Sequence, residues 1–202
     1  MDELPAGVAA RRDYNEEGRK LLKTLGATPN SGRHKDLDVI WSHPNSGGKI
    51  FVGNETAAAG PVATLKARGI RHVVNCTDDM PNFCEPDLMY MRFNVAYWQS
   101  AGAPAAEKPC STAEKLSFIW SLFDFVQAAT DKGESVLVHC LAGAHRAGTT
   151  GCLLLMRKGG LSAAEAIAAA KAARPCINPI GSLPGLLAFY ESAREAAGGD
   201  VP

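Results

Sequence analysis

The chain has 202 residues, of which 46% are hydrophobic and 21% are charged, a composition that is ordinary for a globular protein. Its 21 basic and 21 acidic residues balance, so the charge predicts neither a nucleic-acid partner nor a membrane-surface partner. The lack of a long apolar run, of a secretory signal and of regularly spaced cysteines argues against a membrane-spanning or disulfide-framed protein and predicts an intracellular one, in the cytoplasm.

The first 48 residues differ in pattern from the rest and are predicted to form an N-terminal extension. An amphipathic helix is expected over residues 11–25, with one apolar face. The apolar residues of that face are Tyr14, Leu21, Leu22 and Leu25. Residues 38–41 and 49–54 predict two short strands joined by a turn. Two interpretations of the extension remain open: it packs on the domain that follows, or it docks a partner protein.

From residue 49 onward, strand and helix patterns follow one another. Strands are predicted over 50–54, 70–77, 90–95 and 136–140, and helices over 56–69, 146–158, 162–173 and 182–197. A long helix is also predicted from Ser111 or Thr112 to Gly133, with Glu114 completing a capping box. This order predicts one α/β domain over residues 49–197, followed by a short tail over 198–202.

The stretch from Val136 to Gly151 predicts the chemistry of that domain. An apolar strand ends at His139-Cys140, a loop of small residues follows, and Arg146 opens an apolar helix. A helix N-terminus favours the thiolate form of a cysteine, and loop N–H groups can form a nest for an anion. Arginine adds a planar fork that can bind two phosphate oxygens. The stretch therefore predicts a phosphate cradle with a sulfur nucleophile; the alternative is a buried structural cysteine beside a capping loop.

The decapeptide HCLAGAHRAG, residues 139–148, resembles the signature of the cysteine-dependent dual-specificity protein phosphatases. The segments GIRHVVNCTDDMPN, at 69–82, and LLLMRKGGLSAAEAIAAAKAARPCINP, at 153–179, resemble other parts of that family. The resemblance covers about residues 49–195. It implies a three-layer α/β domain, in which a central mixed sheet is flanked by helices and the active site lies at the carboxyl ends of the strands.

The resemblance also implies a role for each residue of the loop. Cys140 is implied to be the nucleophile, Arg146 to bind the phosphoryl oxygens, and His139 to lie beneath the loop and orient it. The implied phosphate-binding residues are Leu141, Ala142, Gly143, Ala144, His145 and Arg146. Two interpretations of His145 remain open: a charged ring that favours thiolate and phosphate, or a surface residue that points outward.

The general acid is the first departure from the family pattern. Tyr97 stands where the family places an aspartate, and Glu107 is the only carboxylate in the loop that follows. Glu107 is therefore the predicted acid, the alternative being a solvated loop carboxylate. Asp78 and Asp79 could reach the rim of the site, although the sequence favours a role in setting the turn after the second strand of the domain.

Two further departures concern the support of the loop. Ala147 replaces the Ser or Thr of many relatives, which predicts slow hydrolysis of a phosphocysteine unless Thr149 or Thr150 substitutes. The Pro-Asn pair that braces the loop in relatives is absent at residues 179–180, so Asn178 supplies the brace or the brace is missing.

Cys76 is a candidate redox residue. It lies on the second strand of the domain, where some thiol phosphatases carry a cysteine that closes a protective disulfide with the nucleophile. A thiol beside a low-pKa thiolate could act as a redox switch, and the alternative is an ordinary buried cysteine.

The loop contains no lysine and the chain has no net charge, which argues against a polyanionic lipid or an RNA end as substrate. The predicted function is therefore hydrolysis of phosphotyrosine and/or phosphoserine/phosphothreonine in proteins. The alternatives are a weakly active or inactive phosphatase-fold scaffold that binds a phosphoprotein, and a rhodanese-like or arsenate-reducing enzyme. No cofactor and no metal are expected, because the His and Cys residues lack the spacing of zinc ligands.

Overall fold

Five strands form one mixed sheet in the computed structural model, which describes residues 12–26, 35–104 and 110–198. The strands are β1 (Leu37–Ser42), β2 (Lys49–Gly53), β3 (Ile70–Asn75), β4 (Met89–Arg92) and β5 (Ser135–His139). Their spatial order is β1-β2-β5-β3-β4, with β1 antiparallel to β2 and the other pairs parallel. The predicted α/β class with a central mixed sheet is confirmed.

The helices cover both faces of this sheet. They are α1 (Tyr14–Thr24), α2 (Glu55–Ala58), α3 (Val62–Ala67), α4 (Thr112–Asp131), α5 (Arg146–Gly159), α6 (Ala163–Ala173) and α7 (Leu183–Ala196), with a 3₁₀ helix at Val95–Ser100. Because successive strand residues point to opposite faces, Val136 and Val138 pack with α4 to α7, whereas Leu137 packs with α2 and α3. Every residue of β5 is buried, as expected for a central strand.

The helix predicted over residues 56–69 is wrong, because the structure divides it into α2 and α3. The division falls at Gly60-Pro61, and Pro61 becomes the residue that precedes α3. Proline has no N–H and disfavours helical backbone in the residue before it, so a continuous helix cannot form there. The capping box of Ser111 and Glu114, by contrast, is present as predicted.

The extension contributes both a helix and a strand to the packed structure. β1 pairs with β2 along the sheet edge, and α1 lies on the loop that follows β5. A Cβ atom at Gly18 would lie 3.1 Å from Cδ2 of Leu141, so a larger residue there would require the leucine side chain to shift by a few tenths of an ångström. The predicted apolar face is wrong in part: Tyr14 and Gly18 are buried, but Leu25 is exposed.

None of the helices in the described residues is both long and apolar enough to cross a membrane.

Candidate active site

The loop between β5 and α5 lies at the carboxyl end of the central strand. It starts after His139 and ends where α5 begins at Arg146. Cys140 is 2% exposed and Arg146 is 3% exposed, so both reactive side chains lie under the surface. The strand fixes the position of the cysteine, and the first turn of α5 fixes that of the arginine.

The four carbonyl groups of residues 141–144 are bonded away from the centre of the loop. The carbonyl of Leu141 accepts from the N–H of Glu55 at 3.1 Å, and that of Ala144 from the N–H of Asn178 at 3.1 Å. Arg174 donates to the carbonyls of Ala142 and Gly143, at 3.2 Å and 2.9 Å. The C=O and N–H of one trans peptide point in opposite directions. The N–H groups that follow these carbonyls therefore face the inside of the loop.

These inward N–H groups form an anion nest. Within the described residues, no hydrogen-bond partner is found for the N–H groups of residues 142–146. The N-terminus of α5 adds its positive dipole end at the same place. The loop therefore has the donors that a phosphoryl group requires, and they are preorganised by bonds on its outer side.

Two residues hold the loop in this conformation. Gly143 has φ +65°, and a Cβ atom there would lie 2.5 Å from the carbonyl oxygen of Gly53. Arg174 is 1% exposed and also binds the Asp38 carboxylate at 2.8 Å. Asn178 contacts the loop through its backbone N–H, which donates to the carbonyl of Ala144. The sequence analysis assigns Arg174 no role, although the residue lies in the segment 153–179 that resembles the family.

The sulfur of Cys140 receives its hydrogen bond from the backbone. The N–H of Ala147 lies 3.5 Å from Sγ of Cys140. Thr149 and Thr150 donate their hydroxyl hydrogens to the carbonyls one helical turn earlier, at 2.6 Å and 3.0 Å. Neither threonine hydroxyl donates to the sulfur, so neither takes the place of the hydroxyl that Ala147 lacks.

The guanidinium of Arg146 is bonded to the extension. Its Nη2 donates to Oδ1 of Asn15, whose own Nδ2 donates to Oδ2 of Asp79 at 2.8 Å. The Nε of Arg146 is buried without a hydrogen-bond partner among the described residues. Asn15 was not identified from the sequence, because no local pattern relates the first turn of α1 to a loop far along the chain.

A cleft of about 640 Å³ opens beside Arg146. Its walls come from α1, the turn after β3, the 3₁₀ helix and the start of α7. Tyr97 and Asp78 meet in it, with the tyrosine hydroxyl 2.6 Å from Oδ2 of the carboxylate. Cys140 does not line the cleft. Glu107, the predicted acid, lies outside the described residues.

His139, at the end of β5, and His145, in the loop, differ in their surroundings. His145 is 5% exposed, and its Nδ1 lies 2.6 Å from the carbonyl oxygen of Asn178, so the surface interpretation of His145 is wrong. The ring nitrogens of His139 have no hydrogen-bond partner among the described residues. Burial, together with the positive charges of Arg92 and Arg146, lowers the pKa of His139 to about 3. His139 is therefore neutral at physiological pH.

Cys76 lies beside the proposed nucleophile. Asn75 pairs with His139 across β3 and β5, and the N–H of Cys76 donates to the His139 carbonyl at 2.9 Å, which places Cys76 opposite Cys140. The Sγ of Cys76 also lies 3.4 Å from Oγ1 of Thr150. Complete burial raises the pKa of Cys76, so this thiol stays protonated.

The chain is similar to known phosphatases over most of its length. The family model described as dual specificity phosphatase, catalytic domain, matches residues 50–193. Dual specificity protein phosphatase 14 of Mus musculus is 32% identical over 130 residues, which are 64% of this chain and 59% of that protein. Dual specificity protein phosphatase 1 of Arabidopsis thaliana is 25% identical over 166 residues, which are 82% of this chain and 76% of that protein. The chain therefore spans less than two thirds of the mouse relative's length.

Solved structures resemble the fold. The crystal structure of human DUSP28 superposes with a TM-score of 0.61 at 25% identity, covering 80% of this chain and 96% of that one. A mouse protein complexed with zinc tungstate gives a TM-score of 0.62 at 25% identity, covering 86% of this chain and 96% of that one.

Proposed function

The chain belongs to the dual specificity phosphatase family, and we propose that it hydrolyses phosphotyrosine and/or phosphoserine/phosphothreonine in proteins through a phosphocysteine intermediate. The observation that carries the proposal is the orientation of the loop. Four successive carbonyls are bonded outward, and the N–H groups that face inward surround the position above Cys140. A buried arginine, whose Nε has no hydrogen-bond partner in the part of the chain that the structure describes, lies at the end of the same loop.

In the proposed reaction Cys140 attacks as the thiolate. The loop N–H groups and the guanidinium of Arg146 bind the phosphoryl oxygens and stabilise the charge that develops on them. The phosphorus–oxygen bond to the substrate breaks as the phosphorus–sulfur bond forms. Water then attacks the phosphocysteine, which releases inorganic phosphate and restores the thiolate.

The cradle also fits a phosphoprotein as its ligand. The zero net charge and the absence of lysine in the loop disfavour a ligand with several phosphates. The half-buried Tyr97 lines the cleft and offers an aromatic wall to a phosphorylated side chain. In this proposal residues 49–197 form the catalytic domain, and the extension supplies one wall of the cleft.

A phosphatase-fold scaffold is the second candidate function. It is favoured by Ala147 and Tyr97, since each lacks a group that speeds the reaction. The guanidinium of Arg146, fixed by its bond to Asn15, can bind a phosphoryl group whether or not that group is hydrolysed. Such a protein would bind a phosphoprotein through the same loop and release no phosphate.

Rapid-quench hydrolysis of 4-nitrophenyl phosphate separates the two functions. An active phosphatase releases nitrophenol, and the Cys140→Ser variant does not. A scaffold binds tungstate, a phosphate analogue, but releases no nitrophenol. The loss of tungstate binding in an Arg146→Ala variant, in either case, would show that the ligand occupies the loop.

A further inference from the structure

The proposed reaction leaves the source of one proton open. The oxygen that departs from phosphorus needs a proton, because an alkoxide or phenoxide is a poor leaving group. The acid must reach the cleft beside Arg146. Among the described residues that line this cleft, three carry carboxylates: Asp13, Asp78 and Asp79.

Asp13 is held as a carboxylate. It caps α1, and its Oδ1 accepts the backbone N–H groups of Asn15 and Glu16, at 2.8 Å and 3.0 Å. These two donors lower the pKa of Asp13, against a smaller opposing effect of desolvation. A carboxyl group that two N–H groups keep ionised is a poor proton donor at neutral pH.

Asp79 is bonded to Asn15, the residue that contacts the guanidinium of Arg146. Its Oδ2 accepts from the amide of Asn15, whose other end binds the guanidinium of Arg146. This contact directs Asp79 towards the part of the site that binds the phosphoryl group. Asp79 is therefore placed to orient the group that binds phosphate, and not to meet the leaving oxygen of a substrate.

Asp78 differs from both in its partner and its position. Asp78 lies in the turn after β3, and its contact is with the neutral hydroxyl of Tyr97 in the 3₁₀ helix. The tyrosine hydroxyl donates to Oδ2, which leaves Oδ1 available to the leaving oxygen of a substrate. Asp78 is exposed, and substrate can approach it from the open side of the cleft.

We propose that Asp78 is the general acid of the reaction and that Tyr97 is the residue that positions it. This inference rests on the proposed function and deepens it. Tyr97 occupies the position of the family's aspartate. Through its hydroxyl it holds the carboxylate of Asp78, which follows β3, at the site.

The proton balance is complete within the site. As the thiolate of Cys140 bonds to phosphorus, the electron pair of the breaking P–O bond stays on the leaving oxygen. That oxygen takes the proton from Oδ1 of Asp78, which becomes a carboxylate. In the second step the carboxylate accepts a proton from the attacking water. Inorganic phosphate leaves, the P–S bond breaks, and both groups return to their starting states.

The test compares two substrates that differ in their need for an acid. Phenyl phosphate has a basic leaving group, and 4-nitrophenyl phosphate has a much less basic one. For Asp78→Asn we expect kcat/KM to fall roughly 100-fold on phenyl phosphate and at least tenfold less on 4-nitrophenyl phosphate. Tyr97→Phe is expected to lower kcat on phenyl phosphate with KM nearly unchanged, and it tests the proposal without altering a carboxylate.

The controls are Asp79→Asn and Glu107→Gln. Asp79→Asn should lower both rates by a similar factor, because it acts through Arg146 and not through the leaving group. The proposal is overturned if Asp78→Asn affects both substrates equally, or if Glu107→Gln shows the leaving-group dependence instead. A wild-type chain that hydrolyses neither substrate would overturn the proposed function itself, and with it this assignment.

Discussion

The guanidinium of Arg146 and the side-chain amide of Asn15 are joined by a hydrogen bond across 131 positions of the chain. It connects the phosphate loop to the first turn of α1. Nη2 of arginine carries two hydrogens, so one can bind Asn15 while the other, with Nε, faces a phosphoryl group. Asn15 thus holds the fork in the orientation that an oxyanion needs.

Replacing Asn15 tests this interpretation. Asn15→Ala should weaken tungstate binding about tenfold, because a hydrogen bond to a charged group contributes about 1.4 kcal/mol or more. Isothermal titration with tungstate measures the change, and Glu16→Ala, on an exposed position of the same helix, is the control. Tighter binding in Asn15→Ala would show that Asn15 competes with the phosphoryl group.

A second prediction concerns the breakdown of the phosphocysteine. Ala147→Ser should speed this step, because the new hydroxyl can donate to the departing sulfur, which the threonine hydroxyls do not reach. In rapid-quench experiments the wild type should show a burst and then slow turnover, and the variant a smaller burst and faster turnover. Ala147→Gly, which adds no hydroxyl, is the control. Unchanged turnover in Ala147→Ser would mean that breakdown does not limit the rate.

Much of the fold was predictable because its signals are local. The strand, loop and helix around Cys140 are contiguous in sequence, and the caps at Ser111 and Ser162 depend on residues three positions away. The break at Pro61 was also within reach of a local rule. The contacts that complete the site are different in kind. They are the contacts of Asn15 with Arg146 and of Tyr97 with Asp78. Both depend on how distant segments pack, which a periodic pattern in the sequence does not predict.

Cys76 is expected to protect the nucleophile from oxidation. Adjacent strands lie about 4.8 Å apart, within the Cα separation that a disulfide requires. Peroxide should convert the Cys140 thiolate to a sulfenic acid. The sulfur of Cys76 then bonds to that of Cys140, the S–O bond breaks, and the hydroxyl leaves as water with the thiol hydrogen. Mass spectrometry should find this link, and dithiothreitol should restore activity. The prediction fails if Cys76→Ser recovers from peroxide as fully as the wild type or the Cys176→Ser control.

His139 makes the stability of the fold depend on pH. Its pKa is lowered from 6.5 to about 3, so the unfolded chain takes up a proton in this range and the folded one does not. This contribution to stability is present above pH 6.5 and is lost as the pH falls towards 3. The free energy of unfolding, measured by urea titration, should therefore fall less steeply over this range in His139→Asn than in the wild type. Parallel profiles would contradict a neutral, buried imidazole.

The central claim is that Cys140 becomes phosphorylated during turnover. The most direct measurement is a denaturing quench within the first turnover of 4-nitrophenyl phosphate, followed by peptide mass spectrometry. We expect one phosphoryl group on the peptide that contains Cys140, and none in the Cys140→Ser variant. Release of nitrophenol without a phosphorylated Cys140, or equal turnover by Cys140→Ser, would contradict the proposed mechanism.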